Sequence, residues 1–358
     1  MNYKLYNNVK KILVIKLRHI GDVVLTIPVF KILKDNFPES HISVLVNSGT
    51  EEILKGNPFI NEIIVFKREI KKMNILKRFL NEFLFYKSIR KRNFDLTIDL
   101  TSGDRGALVS FLSGAKYRLA YAPRKGLLGK KFLYTHLGQK RANHTLIQNI
   151  ELLKQFGIEN KGEIYTNISI PEDTELFVKK LFEKYNISNK DIVVHIHPTS
   201  RWLFKCWKDE YMAEVIKWLA KREIFLIITS SPDKKEREKV EKILSFIPES
   251  FNSKIINLCG KINIKQLAAI SKASDLFFGI DTAPMHIAAF VGTPVIALFG
   301  AGELNWKPWG DGHIVISKNL GNRDRMIREE FIKKNLNSIT PDEVIKNFEE
   351  ILRKLNKW

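Results

Sequence analysis

Cysteine is nearly absent from this chain. Only Cys206 and Cys259 occur in 358 residues, far apart and without a His or Cys neighbour at zinc-ligand spacing, so neither a disulfide framework nor a metal site is expected. Apolar runs are short, and none approaches the roughly 20 residues needed to cross a bilayer. The opening residues, MNYKLYNNVKKILVIK, lack the apolar core and small-residue cleavage site of a signal peptide, so a cytoplasmic protein is expected. Several catalytic signatures are missing too. The nearest approach to a P-loop, GLLGKK at 126–131, continues with Phe132 instead of Ser or Thr. After the first apolar run the turn reads RHIGD, not GxGxxG, which argues against dinucleotide binding. The absence of GxSxG and HExxH removes the elbow-type hydrolases and the zinc proteases.

Acids are scarce relative to bases: 39 Asp and Glu against 59 Lys and Arg, a net charge of +20. The excess is uneven, because residues 1–170 hold 29 bases against 14 acids (+15), leaving 30 against 25 (+5) for the remainder. A field of this sign attracts nucleic acid, anionic lipid or a phosphorylated glycolipid, and charge by itself does not choose among them. The pI of 9.7 raises nucleic-acid binding, but no recognisable RNA or DNA module occurs, and no nucleic-acid partner is expected. With 44% apolar and 27% charged residues the chain can bury a core, and its length exceeds the roughly 250–300 residues one core organises. Two domains are expected.

What is present is βα repetition. KILVIK (11–16), HISVLV (41–46), EIIVF (62–66) and FDLTIDL (94–100) alternate with helix-length stretches, as parallel strands buried on both faces do. After a polar stretch the pattern restarts with DIVVHI (191–196), EIFLIIT (223–229), KIINL (254–258), DLFFGI (275–280) and PVIALFG (294–300). The spans read as an N-terminal lobe at 1–170, a linker at 171–190, a C-terminal lobe at 191–339 and a closing helix at 340–358. Two such lobes are expected to face a central cleft at the carboxyl ends of their sheets. Residues 70–92 form a basic amphipathic stretch in which Met73, Leu76, Leu80, Phe83 and Leu84 share one face. An ordinary packed helix and a helix lying on a membrane surface both fit it.

Three constellations carry chemistry. In LRHIGDVVLTIP (17–28) the strand, glycine turn and helix start put Asp22 at the carboxyl edge of the sheet, as a catalytic carboxylate or as a helix cap. In HIHPTSRWLFKCW (195–207) a strand ends in hydroxyls and cations that suit a diphosphate leaving group; a solvated loop anchored by Trp202 and Trp207 is the other reading. In FFGIDTAPMHIAAF (277–290) a buried strand runs through Gly279 into Asp281, and a helix opens at Thr282 to Pro284 with His286 on its first turn. Such a helix start accepts anions. A lone His on an apolar helix is often a core residue, although small neighbours here leave room for a ligand.

Taken in order with the Trp-rich NWKPWG (305–310), these segments resemble glycosyltransferase family 9, the lipopolysaccharide heptosyltransferases, over nearly the whole chain. HPTSRWLFKCW and DTAPMH are most similar to the branch that adds the third, side-branch heptose of the inner core. The resemblance implies an α/β GT-B fold of two Rossmann-like, doubly wound parallel-sheet lobes and an inverting transfer with no cofactor or metal. It implies ADP-heptose as donor, a phosphorylated lipopolysaccharide inner core as acceptor, and peripheral contact with the cytoplasmic face of the inner membrane. Asp22 matches the general base, and Thr199, Ser200 and Lys205 the donor-phosphate contacts. Glu236 matches the ribose contact, Asp281, Thr282 and Ala283 the helix-start donor site, and His286 the residue beside sugar and phosphate. The family often has glycine where Ala283 stands. Arg18, Arg105, Arg118 and Arg124 of the basic first lobe are expected to face the acceptor's phosphates. A related GT-B transferase using another nucleotide sugar would share all of this except the pocket.

Overall fold

The computed structural model describes residues 6, 8–67, 74–123, 126–300, 304–320 and 327–354. Among the described residues there are twelve parallel strands. The nine apolar runs form nine of them, as their length and β-branched content dictate, and Tyr117–Tyr121, His136–Gly138 and Ile314–Ser317 are added. β1 (Lys11–Lys16), β2 (His41–Asn47), β3 (Glu62–Phe66), β4 (Leu96–Asp99), β5 (Tyr117–Tyr121) and β6 (His136–Gly138) make one sheet. β7 (Val193–His197), β8 (Phe225–Ile228), β9 (Ile255–Asn257), β10 (Leu276–Ile280), β11 (Val295–Phe299) and β12 (Ile314–Ser317) make the other. The chain divides between Ser169 and Ile170 into two compact units, one for each sheet.

Each sheet has the same winding. The first runs β3-β2-β1-β4-β5-β6, and the second β12-β11-β10-β7-β8-β9, the same order read from the opposite edge. Both are Rossmann orders with one reversal point, between β1 and β4 in the first lobe and between β7 and β10 in the second. The pairings there are in close register, Val14 opposite Ile98 and Gly279 opposite His197.

In the first lobe the helices are α1 (Ile20–Val24), α2 (Ile27–Asn36), α3 (Ile75–Lys91), α4 (Asp104–Leu112) and α5 (Thr145–Lys154). The second lobe adds α6 (Glu172–Lys184), α7 (Asp209–Ala220), α8 (Lys234–Ser245), α9 (Ile264–Ala273), α10 (Ala283–Phe290), α11 (Arg328–Asn337) and α12 (Pro341–Arg353). Residues 171–190, expected as a linker, are corrected by α6. Its Val178 and Leu181 are buried with Val193 and Phe225 of the second sheet and Ile270 of α9, so the segment is part of that lobe. The polar positions that suggested a linker, Glu172, Asp173 and Glu175, occupy the first turn of the helix, where acids complement its dipole.

Closing helix α12 starts on a Thr340 cap whose hydroxyl accepts from Glu343 N–H. It buries Val344, Phe348 and Leu352, with Phe348 edge-on to Phe278 of the central strand β10. Of its expected span, 355–358 lie outside the described residues. Trp207, wholly buried, donates its indole N–H to Ile339 O just before this helix (3.1 Å).

Gly279 is set by steric demand. A Cβ there would lie 2.8 Å from the His197 carbonyl oxygen on the neighbouring strand and 3.0 Å from the Phe277 ring. Gly279→Ala is therefore expected to lower stability by about 1–3 kcal/mol through overpacking at the β7–β10 seam. Urea unfolding measures this, and an unchanged midpoint would show that the seam has slack.

Candidate functional site

Loops that leave neighbouring strands in opposite directions part at the reversal point of a doubly wound sheet, leaving room for ligands at its carboxyl edge. Both lobes place their candidate residues there.

In the second lobe β7 delivers the turn 198–205 and β10 delivers Asp281 and the start of α10. Lys205 Nζ donates to Asp281 Oδ2 at 2.7 Å and lies 5.6 Å from the centre of the half-exposed Trp202 ring. Residues 76 positions apart thus form one cation–carboxylate pair across the reversal point. Beside it α10 opens with Thr282 as an extended N-cap whose hydroxyl donates to Ile280 O (3.2 Å), and no side chain caps the helix. Its first N–H groups accordingly have no intrahelical acceptor. Pro284 removes one donor and presets the first turn. Ala283 is half-buried at this start, and His286 is buried one turn in.

Thr199 and Ser200 are buried at the end of β7. Thr199 donates to Glu236 Oε2 (2.8 Å) and Ser231 to Glu236 Oε1 (2.6 Å), so both oxygens of this buried carboxylate are held. Ser200 Oγ accepts from Trp202 N–H at 3.3 Å. The structure therefore brings Thr199 and Glu236 together, and Lys205 and Asp281 together. Of the two tryptophans expected as anchors, Trp207 is one; Trp202 stands at the surface, stacked near Phe204.

Behind this edge runs a polar chain that the sequence did not reveal. His195 binds Ser271 Oγ and Thr229 Oγ1, both at 2.8 Å, and His197 Nδ1 binds the same Thr229 hydroxyl at 2.9 Å. That hydroxyl has one proton, so one ring nitrogen must donate to it. Both rings are buried, and desolvation disfavours their cations: His195 falls well below its usual value of 6.5 and His197 to about 4.

In the first lobe Asp22 is the third residue of α1 and half-buried. It is not the cap, because His19 holds that position without a side-chain bond. Leu17 N–H donates to Thr101 Oγ1 (2.8 Å) and Arg18 Nη2 to Thr101 O (3.1 Å), tying the β1 turn to the β4 turn.

Two groups at this edge were not singled out from the sequence. Lys16 is buried and donates to Leu100 O (3.2 Å); desolvation lowers its pKa to about 8, opposed by the charges of Asp22 and Asp99. Asp99 is buried, accepts from Tyr134 O–H (2.6 Å) and Thr101 N–H (2.7 Å), and is raised by burial against those bonds. A Cβ at Gly106 would fall 2.4 Å from its carboxylate, so only glycine leaves the space. Neither group carried a signal, since both sit inside strand runs that read as apolar.

The four arginines differ. Arg18 is exposed and donates to Thr101 O. Arg105 binds Glu82 at 2.9 Å with its guanidinium over the Phe66 ring, and Arg118 donates to Leu133 O and Ala115 O. Arg124 lies outside the described residues. Among the described residues no group of three or more His, Cys, Asp or Glu is arranged to hold a metal. No described helix is long and apolar enough to cross a membrane.

The fold is shared with solved structures. A glycosyltransferase family 9 protein from Veillonella parvula superposes with a TM-score of 0.80 at 21% identity, covering 96% of this chain and 97% of that one. E. coli heptosyltransferase WaaC, solved with ADP-2-deoxy-2-fluoro heptose, gives 0.73 at 18%, covering 95% and 99%. Two Rossmann-ordered lobes matching these structures define a GT-B-like fold. Residues 83–335 match the model for "Glycosyltransferase family 9 (heptosyltransferase)", and the chain is 32% identical over 342 residues to lipopolysaccharide heptosyltransferase 3 of Escherichia coli K12, covering 94% of this chain and 96% of that one. The protein belongs to glycosyltransferase family 9.

The buried histidines generate a pH prediction. Their folded pKa values lie below the unfolded one, so from about pH 6.5 down to about 4 the unfolded chain binds more protons. The stability they contribute is complete above pH 6.5 and is lost as pH falls toward 4, by about 3 kcal/mol for His197 alone. Thermal melts across this range are expected to be flatter in His197→Gln than in the wild type; equal slopes would place the acid sensitivity elsewhere.

Proposed function

We propose that this transferase moves heptose from ADP-L-glycero-D-manno-heptose, with inversion, onto the phosphorylated inner core of lipopolysaccharide at the cytoplasmic face of the inner membrane. The observation that carries the reading is the second lobe's reversal point, where Lys205 and Asp281 meet beside the uncapped start of α10. A cation and a set of outward N–H groups on one edge suit a diphosphate, whose charge grows as it leaves. Family membership, similarity to lipopolysaccharide heptosyltransferase 3, and the shared fold of the E. coli enzyme solved with an ADP-heptose analogue support the choice of sugar and nucleotide.

In the reaction the Asp22 carboxylate takes the proton of an acceptor hydroxyl. The oxygen attacks the anomeric carbon, and the bond to ADP breaks with its electron pair going to the diphosphate. A sugar hydroxyl is too weak an acid to ionise at neutral pH, so a placed base is worth about 10²–10⁴ in rate. Lys16, a buried cation whose charge interacts with that of Asp22, lies at the same edge. Lys205, the α10 start and the hydroxyls of Thr199 and Ser200 receive the leaving diphosphate. Glu236, held by Thr199 and Ser231, is assigned to the ribose, and Ala283 and His286 to the sugar side. Acceptor phosphate is assigned to Arg18; Arg105 and Arg118 are engaged inside the lobe.

Incubation of the protein with ADP-heptose or UDP-sugars and defined core-truncated lipopolysaccharides, followed by mass and linkage analysis, tests donor and acceptor together. Transfer from ADP-heptose is expected. Use of a UDP-sugar with ADP-heptose ignored would identify a GT-B transferase of other donor specificity. Asp22→Asn should retain donor binding in calorimetry while kcat falls about 10²–10⁴-fold; near-normal turnover would remove Asp22 as the base. Lys205→Ala should weaken donor binding and lower kcat by about 10²–10³-fold, as loss of a transition-state charge partner does.

A further inference from the structure

We propose that one composite face of the first lobe, built from the N-terminal half of α3 and the turn at 126–133, seats the protein on an anionic lipid bilayer. This deepens the reading of a membrane glycolipid acceptor and rests on it. Among the described residues the apolar packing of α3 lies in its C-terminal half, where Ile89 is buried and Phe85 and Tyr86 lie against Phe66 and its neighbours. Its first ten residues leave Leu76 80%, Phe79 69% and Phe83 62% exposed. In the turn Leu128 is 99% and Phe132 73% exposed. Large side chains left bare in two neighbouring segments mark an interaction surface.

Two consecutive residues at the start of α4 hold those segments. Arg105 Nη2 binds Glu82 of α3 at 2.9 Å, while Asp104 Oδ1 accepts from Leu127 N–H and Lys130 Nζ, both at 3.0 Å. The apolar tips are thus fixed on either side of one helix terminus. That terminus follows β4, as Asp22 follows β1, and β1 pairs with β4 in parallel. The face and Asp22 therefore belong to the same carboxyl edge of the sheet.

Charge selects the occupant. From Arg105 to Ile150 the sequence has nine Lys and Arg and no Asp or Glu, and α3 has five bases against one acid, Glu82, which Arg105 engages. Apolar side chains interleaved with cations suit the interface of a bilayer bearing anionic headgroups. A second copy would oppose like charge with like.

Vesicle flotation of the full chain tests this, using phosphatidylcholine alone and phosphatidylcholine mixed with phosphatidylglycerol. Wild type should float with the mixed vesicles, less so as salt rises, and stay below with phosphatidylcholine alone. Leu128→Asp/Phe132→Asp and Leu76→Asp/Phe79→Asp should each weaken flotation about tenfold or more, with circular-dichroism melts unchanged. Lys77→Glu/Lys131→Glu, which leaves the apolar tips intact, should lose the preference for phosphatidylglycerol. Equal flotation of all variants, no flotation of wild type, or a wild-type dimer that the aspartates convert to monomers would overturn the proposal. Transfer onto a lipid-free core oligosaccharide is read separately and should survive in the aspartate variants. Its absence in a wild type that floats counts against the proposed reaction alone, whereas intact transfer by a wild type that does not float overturns the docking face.

Discussion

Everything chemical in this chain depends on two parallel seams between strands that are not neighbours in sequence, β1 beside β4 and β7 beside β10. At each seam the crossovers depart in opposite directions, and the loops leaving the carboxyl ends part. The β7–β10 seam closes only because Gly279 has no side chain to meet the His197 carbonyl. The β1–β4 seam is locked by Thr101, whose hydroxyl accepts from Leu17 N–H and whose carbonyl accepts from Arg18. With the seams fixed, Lys205 and Asp281 come within 2.7 Å, and Asp22 comes near Lys16.

Electrostatics at the two edges differ in kind. At the second lobe's edge the cation is partly exposed and already shared with a carboxylate, which holds it in place. At the first lobe's edge the cation, Lys16, is buried, and its position depends on Leu100 O and the charges of Asp22 and Asp99. Beneath the donor edge the neutral His195–Thr229–His197 chain fills the interior with satisfied polar groups, which rigidifies the strand ends above it. Basic charge concentrates in the lobe whose edge carries Asp22 and the bare apolar tips of α3 and the 126–133 turn, so these features coincide in one unit.

Sequence alone determined the repeated βα architecture, the carboxyl-edge placement of Asp22 and the helix start at Thr282 to Pro284, because each follows from local apolar periodicity, glycine and proline positions and strand-to-helix turns. It misread residues 171–190: acids in the first turn of α6 resemble a polar linker until Val178 and Leu181 find the second sheet. It left α3 undecided between packing and lipid, since a 3.6-residue pattern records an apolar face without recording whether anything covers it. Tertiary structure alone decided the Lys205–Asp281 and Thr199–Glu236 pairings, the burial of Lys16 and Asp99, and the engagement of Arg105 and Arg118 within the fold. Those are contacts between residues separated by tens of positions, and only the order of strands in a sheet brings such positions together.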